Sequence, residues 1–231
     1  METAILMAAG MGTRMRPLTE RIPKPLVPVQ GIPMIETVIH CLQQRNVSHI
    51  YIVVGYLGQQ FSYLTEKYEN ITLIENTEYK TANNISSIYA VGDLLGRSDC
   101  FICESDLVIR NIHLLDVELE QSCYFGKMVN GYSDDWVFDL EDDYITRIGK
   151  GGSDTFNMVG LAYFKKRDAA ILYQAIQHVY EQGSYDEKFW DDVVNDNLDK
   201  LKLRVQPVDA DQIIEIDSLD ELNQVEAMLG K

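Results

Sequence analysis

Basic residues are scarce in this sequence, and no apolar run approaches the length of a membrane span. The 231 residues include 20 lysines and arginines against 36 acidic side chains, giving a formal net charge of −16. Binding a nucleic-acid backbone relies on clustered basic residues, so this charge balance excludes nucleic acid as the expected partner. A bilayer-spanning helix needs about 20 consecutive apolar residues, so no membrane association is expected either.

The N-terminal residues and the few cysteines favour a reducing compartment. Residues 1–5 contain no basic side chain, so we expect no signal peptide and a cytoplasmic location. Cys100 and Cys103 have C-x-x-C spacing, but no second cysteine pair or histidine cluster completes a zinc site. In the apolar strand that they occupy, residues three apart point to opposite faces. We therefore expect all four cysteines to be buried free thiols.

Up to residue 116, short apolar strands alternate with segments of helical periodicity. The predicted strands are 4–8, 49–54, 71–74 and 100–103, and the predicted helices are 33–44, 61–68 and 84–95. This alternation predicts a mostly parallel sheet with helices on both faces. Ligands of such sheets bind beyond the carboxyl ends of the strands. The residues that follow Ala8 and Cys103 are therefore the first candidates for a site.

After residue 116 the pattern becomes more antiparallel. The predicted strands are 122–128, 136–140, 144–148, 159–164, 203–208 and 213–216, and the predicted helices are 167–181, 187–198 and 219–229. With 46% apolar residues and no linker or repeat, the chain is expected to form one domain over 1–231. The change of pattern at residue 116 divides this domain into the halves 1–116 and 117–231.

A glycine-containing segment directly follows the first strand. Gly10 and Gly12 allow the backbone to approach a ligand closely and to turn its N–H groups toward phosphate. Arg14 adds forked donors suited to phosphate oxygens. Lys24 stands between two prolines that stiffen the chain around it. Glycines, arginine and lysine together predict a site for a phosphorylated ligand.

This segment and the later sequence Pro-Lys-Pro-Leu-Val at 23–27 resemble the signature of the sugar-nucleotide pyrophosphorylase superfamily of nucleotidyltransferases. The resemblance runs along the whole chain. It implies a Rossmann-like α/β fold with a smaller antiparallel subregion for the acceptor. By the same resemblance, 1–116 would be the nucleotide-binding half, and 117–231 would be the half that binds the acceptor and completes the metal site. It also implies catalytic roles for Arg14 at the triphosphate and Lys24 near the α-phosphate. The nucleotide would be held by Leu6, Ala8, Ala9, Gly10, Gly12 and Thr13.

Acidic residues after two apolar strands supply candidate metal ligands. Asp106 follows the strand ending at Cys103, and Glu215 and Asp217 follow a later apolar pair. Carboxylates at such positions ligate Mg²⁺ while the ion bridges triphosphate oxygens. The resemblance assigns catalytic metal ligation to Asp106 and Asp217, with Glu215 in support. Mg²⁺ is the one cofactor expected.

The reaction that this arrangement implies requires no general base. An acceptor oxygen that is already anionic attacks the α-phosphorus, and pyrophosphate leaves in line. Catalysis then consists of alignment and charge neutralisation by Mg²⁺, Lys24 and Arg14. The sequence contains no obvious catalytic histidine or serine, which agrees with this chemistry.

Three further segments, 83–89, 133–136 and 189–192, resemble the short bacterial CTP:phosphocholine cytidylyltransferases. By that similarity Asn83, Asn84 and Ser87 lie near the base and ribose of CTP. Trp136 with an aromatic residue of the third segment would form a box for a quaternary ammonium, an attraction of about 1–2 kcal/mol when desolvated. The expected acceptor-binding residues are Asp134, Trp136, Lys150, Phe189, Trp190 and Glu215.

The expected reaction is CMP transfer from CTP to phosphocholine, giving CDP-choline. Phe189 stands where the family favours tyrosine, and Asp134 and Asp135 suit a primary ammonium, so 2-aminoethylphosphonate is an alternative acceptor. A sugar-1-phosphate nucleotidyltransferase is a second alternative, although a cluster of tryptophan and aspartate is less expected there. A non-catalytic nucleotide sensor is the third, and the presence of the catalytic residues argues against it.

Overall fold

The structure, a computed structural model, describes residues 1–230. Its strands are β1 (Glu2–Ala8), β2 (Pro28–Val29), β3 (Ile32–Pro33), β4 (His49–Val54), β5 (Ile71–Glu75), β6 (Asp99–Glu104), β7 (Leu107–Ile109), β8 (Cys123–Glu141), β9 (Tyr144–Phe164), β10 (Arg204–Pro207) and β11 (Ile213–Glu215). Its α-helices are α1 (Met34–Gln44), α2 (Ser62–Lys67), α3 (Ile85–Val91), α4 (Lys166–Gln182), α5 (Trp190–Asn195) and α6 (Leu219–Leu229). Short 3₁₀ helices cover Thr13–Met15, Leu18–Glu20, Lys24–Leu26, Gly58–Phe61 and Gly92–Leu94.

A seven-stranded sheet in the order β10-β8-β9-β6-β1-β4-β5 forms the centre of the described chain. Strands β6, β1, β4 and β5 run parallel, as the strand–helix alternation predicts. Strand β9 is antiparallel to both β6 and β8. Two small antiparallel sheets pair β2 with β3 and β7 with β11. The expected fold class is confirmed: a mostly parallel mixed sheet with helices.

The two faces of the sheet are packed by different helices. Alternate residues of β1 point to opposite faces, because successive side chains of a strand alternate. Leu6 is buried in one apolar cluster with Val38 of α1. Ile5 is buried in another cluster with Ile88 of α3 and Leu172 of α4. Helices therefore cover the sheet on both sides.

The cysteines follow the same alternation. Cys103 belongs to the cluster on the α1 face, and Cys100 belongs to the cluster on the α3 and α4 face. All four cysteines are buried and free. Burial raises the pKa of Cys100 to about 12, so this thiol stays protonated at neutral pH. The prediction of buried structural thiols is confirmed.

Strands β8 and β9 differ most from the sequence-based prediction. The four short strands predicted over 122–164 are two long strands of 19 and 21 residues, so the predicted turns at 129–135 and 149–158 are wrong. The ladder continues through several register shifts, which are bulges. Tyr132 and Asp134 are exposed on this extension. Because solvent reaches this part of the hairpin, it lacks the apolar alternation that identifies a strand.

The helix predicted over 187–198 is also shorter than expected. It begins at Trp190 and ends at Asn195, and residues 183–189 before it are not helical. The Asp192 carboxylate accepts a hydrogen bond from the backbone N–H of Phe189 at 2.8 Å, which caps the helix start. Within residues 1–230, no helix combines the length and apolar character that a membrane crossing needs.

Candidate active site

The glycine segment starts where β1 ends, and its first residues are anchored by neighbouring strands. The Ser105 hydroxyl donates to the carbonyl of Met7 at 2.5 Å. The backbone N–H of Tyr56 donates to the carbonyl of Ala9 at 3.1 Å. These bonds tie the loop to the residues that follow β6 and β4. The segment after Ala8 therefore lies at the shared carboxyl edge of three parallel strands, as predicted.

Gly12 packs directly against Lys24. Its backbone is in the left-handed region, with φ of +57°, which disfavours any side chain. A Cβ atom at Gly12 would lie 2.8 Å from the Cβ of Lys24, closer than two carbons can approach. The Thr19 hydroxyl donates to the Gly12 carbonyl at 2.7 Å and holds this turn in place. Glycine is thus required for the close packing of the loop against Lys24.

Lys24 is the charged centre of the site. The residue is only 8% exposed, and its Nζ donates to Asp106 Oδ2 at 2.5 Å and to Asp217 Oδ1 at 2.6 Å. Burial opposes its charge, but the attraction of Asp106 and Asp217 outweighs burial and raises the pKa of Lys24. Arg14 Nη2 also donates to Asp217 Oδ1, at 2.6 Å. Residues predicted from three distant segments therefore meet at one point.

The two aspartates are brought together by strand pairing that the sequence did not reveal. Strand β7 was not predicted, and it pairs with β11 so that Leu107 lies opposite Glu215. The backbone N–H of Ile216 donates to the Asp106 carbonyl at 3.3 Å. Ile216 is fully buried in a small cluster that also contains Met15 of the glycine segment. Asp106 and Asp217 therefore lie beside the paired strands β7 and β11, and the burial of Ile216 stabilises that pairing.

The carboxylates at this point fit a divalent cation. Asp106, Glu215 and Asp217 each offer an oxygen, and these oxygens lie within 4.8 Å of one another. Asp106 Oδ1 is buried without a hydrogen-bond partner among the described residues. Burial, Asp106 and Asp217 raise the pKa of Glu215 to about 8, although its side chain reaches solvent on one side. Oxygen ligands in this number suit a hard cation such as Mg²⁺.

A cavity of about 360 Å³ extends from this cation site over the carboxyl edge of the sheet. The predicted nucleotide-binding residues that line it are Ala8, Ala9, Gly10, Gly12, Thr13, Asn83, Asn84 and Ser87. Leu6 does not line it, which corrects its assignment. Its side chain is fully buried, and its backbone pairs with Ile52 and Cys103 inside the sheet. Leu6 is therefore part of the sheet core from which the loop extends.

Several lining residues were missed by the sequence analysis. Asn76 is 2% exposed, and its amide nitrogen donates to the hydroxyl oxygens of Ser86 at 2.9 Å and Ser87 at 3.2 Å. Tyr79 packs so closely against Gly55 that a Cβ on Gly55 would lie 2.8 Å from the ring. Asn76 directly follows β5, so the rule that ligands bind at strand carboxyl ends would have identified it.

Two aromatic residues of the predicted acceptor site lie next to each other. The ring centroids of Trp136 and Phe189 lie 5.4 Å apart at an interplanar angle of 68°. Trp190 does not take part, so its assignment to the acceptor site is corrected. It is 3% exposed and stacks against Tyr124 with centroids 5.7 Å apart, because α5 turns its apolar face into the core. Phe189, and not Trp190, is therefore the aromatic partner of Trp136.

Two further buried carboxyl groups, Glu104 and Asp191, have raised pKa values. Burial, with Asp106 and Glu215 nearby, raises the pKa of Glu104 well above its usual range. Burial also raises the pKa of Asp191 to about 7, although Tyr124 donates a hydrogen bond to its Oδ1 at 3.0 Å. Both carboxyl groups therefore hold their protons more tightly than a solvent-exposed carboxyl does. A cation bound beside them would favour their charged forms.

Asp134 and Lys150 complete the predicted acceptor residues. Lys150 lies opposite Trp136 in the β8–β9 ladder, so the two residues are neighbours across the strands. Asp134 is exposed, at an irregularity of the same ladder between Ser133 and Trp136. Neither residue reaches the cation site in the structure, and their roles in acceptor binding stay predictions.

Comparison with known proteins shows what the chain resembles. A family model described as nucleotidyl transferase matches residues 3–122. The chain is 53% identical over 220 residues to a 2-aminoethylphosphonate cytidylyltransferase of Lancefieldella rimae, covering 95% of this chain and 89% of that relative. It is 34% identical over 231 residues to a choline-phosphate cytidylyltransferase of Streptococcus pneumoniae, covering 98% of this chain and 97% of the relative.

A solved structure is similar to this chain over nearly its whole length. The fold matches that of a CTP:phosphocholine cytidylyltransferase from Streptococcus pneumoniae with a TM-score of 0.90, and 99% of each chain is covered at 31% identity. The likeness therefore extends over both halves of the chain, including the long hairpin and the C-terminal segment that carries Asp217.

Proposed function

The chain belongs to the nucleotidyl transferase family, and from that premise we propose that it transfers CMP from CTP to 2-aminoethylphosphonate and releases pyrophosphate. The observation that carries this proposal is the 53% identity, over 95% of the chain, to a relative with that activity. Identity to the choline-phosphate relative is 34%. Cytidylyl transfer is common to both relatives. The sequence-based preference for phosphocholine therefore yields to the alternative acceptor that the sequence left open.

The phosphate end of the site supplies alignment and positive charge. Lys24 and Arg14 stand at the cavity where the triphosphate would lie, and the glycine segment offers backbone N–H groups to its oxygens. Nucleotidyl transferases generally use divalent metal ions, and Asp106, Glu215 and Asp217 would hold Mg²⁺ here. The bound ion would neutralise charge on the triphosphate.

The nucleophile in this proposal is the phosphonate oxygen of the acceptor. It is ionised at neutral pH, so the chain has only to align it with the α-phosphorus opposite the leaving pyrophosphate. The new bond joins that oxygen to the α-phosphorus, and the bond from the α-phosphorus to the pyrophosphate oxygen breaks. Lys24 and Arg14 would stabilise the charge that develops on the phosphates.

The acceptor end fits an ammonium group. The rings of Trp136 and Phe189 offer faces to a cation, and the exposed carboxylates of Asp134 and Asp135 directly precede Trp136 in the chain. A primary ammonium carries three N–H groups that can donate hydrogen bonds to carboxylates, whereas a quaternary ammonium carries none. Phenylalanine at 189 provides a ring without a hydroxyl. These features support 2-aminoethylphosphonate, with carboxylates as its partners.

Phosphocholine is the second candidate. The edge-to-face pair of Trp136 and Phe189 favours it, because aromatic faces also attract a quaternary ammonium. The match to the phosphocholine enzyme, with a TM-score of 0.90, favours it as well. The two acceptors differ at the nitrogen substituents and at the phosphorus group, so a direct competition separates them.

A substrate panel tests the proposal. Pyrophosphate release would be measured with CTP, UTP, dTTP and GTP, each against 2-aminoethylphosphonate, phosphocholine and glucose-1-phosphate. We expect kcat/KM to be highest for CTP with 2-aminoethylphosphonate, by at least about tenfold over phosphocholine, the factor that corresponds to 1.4 kcal/mol. Faster turnover of phosphocholine would transfer the assignment to the second candidate. Turnover of glucose-1-phosphate alone would reject both.

A further inference from the structure

Phe189 is the last residue of an exposed segment that links α4 to α5. We call residues 183–189 the acceptor strap. It begins with two residues in the left-handed region, Gly183 with φ of 73° and Ser184 with φ of 65°, and most of its residues are exposed. An exposed segment of this kind has little burial of its own to hold it. The position of the Phe189 ring therefore depends on the contacts that the strap makes.

Those contacts come from the segment that lines the nucleotide cavity. The backbone N–H of Asn83 donates to the carbonyl of Asp186 at 2.8 Å. The Asn84 side-chain oxygen accepts from the backbone N–H of Trp190, next to Phe189, at 3.1 Å. Asn83 and Asn84 both line the cavity. The strap is thus held against the nucleotide-binding side of the molecule.

Glu78 makes a second set of contacts with the strap, outside the cavity. One carboxylate oxygen accepts from the Tyr180 hydroxyl at 3.0 Å, and the other accepts from the Tyr185 hydroxyl at 3.4 Å. The rings of Tyr180 and Tyr185 are stacked, with centroids 3.8 Å apart. Tyr185 belongs to the strap and Tyr180 to α4. A single carboxylate therefore joins the strap to the helix that precedes it.

The backbone of Glu78 is fixed to the cavity wall at the same time. Its N–H donates to Asn76 Oδ1 at 2.9 Å, and its carbonyl accepts from the N–H groups of Thr81 and Ala82, both at 2.9 Å. Asn76 and Ala82 line the nucleotide cavity. The carboxylate of Glu78 thus extends from a rigid turn whose other side faces the nucleotide.

We propose that Glu78 is a positioning residue for the acceptor, which holds the strap through Tyr180 and Tyr185 and thereby sets the place of the Phe189 ring. Glu78 itself does not line the nucleotide cavity. Its loss acts on the acceptor alone, through the strap, and leaves the phosphate end of the site unchanged. The inference rests on the proposed function, because it takes Phe189 as part of the acceptor site.

The variant that tests this carries Tyr180→Phe and Tyr185→Phe together, which removes both hydroxyls and keeps the stacked rings. We expect the KM for the acceptor to rise about tenfold, since the hydrogen bonds to a charged group are lost, while kcat and the KM for CTP change less than twofold. Tyr89→Phe is the matched control. Its ring stacks on Tyr180 at 3.6 Å, and its hydroxyl has no hydrogen-bond partner within residues 1–230.

A mutant cycle separates this role from a general loss of packing. Glu78→Ala should raise the acceptor KM by a similar factor, and adding the two phenylalanines to Glu78→Ala should change it no further. Additive effects, or equal shifts in the KM of CTP and of the acceptor, would overturn the proposal. An unchanged acceptor KM in the double tyrosine variant would overturn it as well.

Amide hydrogen exchange gives a readout that does not depend on the acceptor. Exchange within 183–189 should become at least about tenfold faster in Glu78→Ala and in the double tyrosine variant, and stay unchanged in Tyr89→Phe. If the wild type turned over no acceptor of the panel, the proposed function would fail, and exchange would still decide whether Glu78 holds the strap. Unaltered exchange in both variants would reject that role.

Discussion

The two ends of the site are constructed in different ways. At the phosphate end, the glycine segment, Asn76 and Asp106 each follow a parallel strand, so the sheet itself places them at one edge. At the acceptor end, Trp136 lies on a long solvent-exposed hairpin and Phe189 on an exposed strap. The phosphate end therefore inherits its geometry from backbone pairing, whereas the acceptor end depends on contacts between side chains of separate elements.

This difference explains how one scaffold can accept different substrates. Phosphates bind to backbone N–H groups and to a few fixed charges, and changes there disturb the packing of the sheet edge. The acceptor end is carried on elements that can change without disturbing the sheet, as is common for loops on a rigid scaffold. We expect substitutions at the phosphate end to affect all turnover, and those at the acceptor end to affect one KM.

The largest effect is expected at the phosphate end, where Asp106, Glu215 and Asp217 would hold the metal ion. Asp106→Asn keeps the shape of the side chain and removes a charge from the cation site, so kcat should fall about a thousandfold. The variant should remain folded at the assay temperature, although it loses one of the two carboxylate charges that pair with Lys24. The measurements are pyrophosphate release and Mn²⁺ binding by titration calorimetry.

Asp143→Asn is the control for this change. Asp143 is exposed in the β8–β9 turn with φ of 67°, a conformation that asparagine tolerates well. Wild-type turnover in Asp106→Asn would remove the metal site from the proposal. A loss of turnover in both variants would show that removing one negative charge lowers turnover wherever the charge lies.

A backbone change should break the phosphate end almost as strongly. Gly12→Ala forces a Cβ against Lys24 and strains a positive φ, so we expect about a hundredfold loss of kcat/KM and a destabilisation of about 1–3 kcal/mol. Gly10→Ala is the matched variant, because a Cβ there meets nothing within 4 Å. It should unfold at the wild-type temperature in calorimetry. Equal unfolding temperatures for both variants would contradict the packing argument.

The buried carboxyl group of Asp191, next to Trp190 in the core, should make stability depend on pH. Burial raises the pKa of Asp191 to about 7 from 3.8, so the folded protein binds this proton more tightly than the unfolded chain does. The contribution of Asp191 to stability is therefore fully present below about pH 4 and is lost as the pH rises to about 7, with roughly 2 kcal/mol of it lost between pH 5 and 7.

Asp191→Asn should remove the part of the loss that comes from Asp191, because the amide does not ionise. Its free energy of unfolding, measured by urea titration, should then vary less between pH 5 and 7 than that of the wild type. Parallel pH profiles for the two proteins would show that Asp191 is not the group responsible.

The smallest effect expected is the most specific for the acceptor. Trp136→Ala removes one ring of the pair and should raise the acceptor KM about tenfold, with the KM for CTP unchanged. Trp190→Phe should lower the unfolding temperature and leave both KM values unchanged, because Trp190 is packed in the core. If Trp190→Phe raised the acceptor KM and Trp136→Ala did not, the assignment of the two tryptophans would be reversed.

Sequence patterns predicted some elements of both halves closely. The bounds of β4 agree at both ends with the predicted range 49–54, and α6 agrees with the predicted range 219–229. Both have clear apolar periodicity with distinct ends. The hairpin of β8 and β9 was missed because solvent reaches much of its extension, so polar residues interrupt the pattern. Strand β7 is only three residues long, which is too short for periodicity to reveal.

By itself the sequence determined the chemistry of the phosphate end. Glycines after a buried strand, a nearby arginine and a lysine between prolines indicate phosphate binding, because close approach of the backbone to phosphate restricts which residue types fit. The tertiary structure alone decided which side chains meet. It paired β7 with β11 to bring Asp106 to Asp217, buried Trp190 in the core, and placed Phe189 against Trp136. Such contacts join residues far apart in the chain, and no local pattern of apolar and polar residues specifies them.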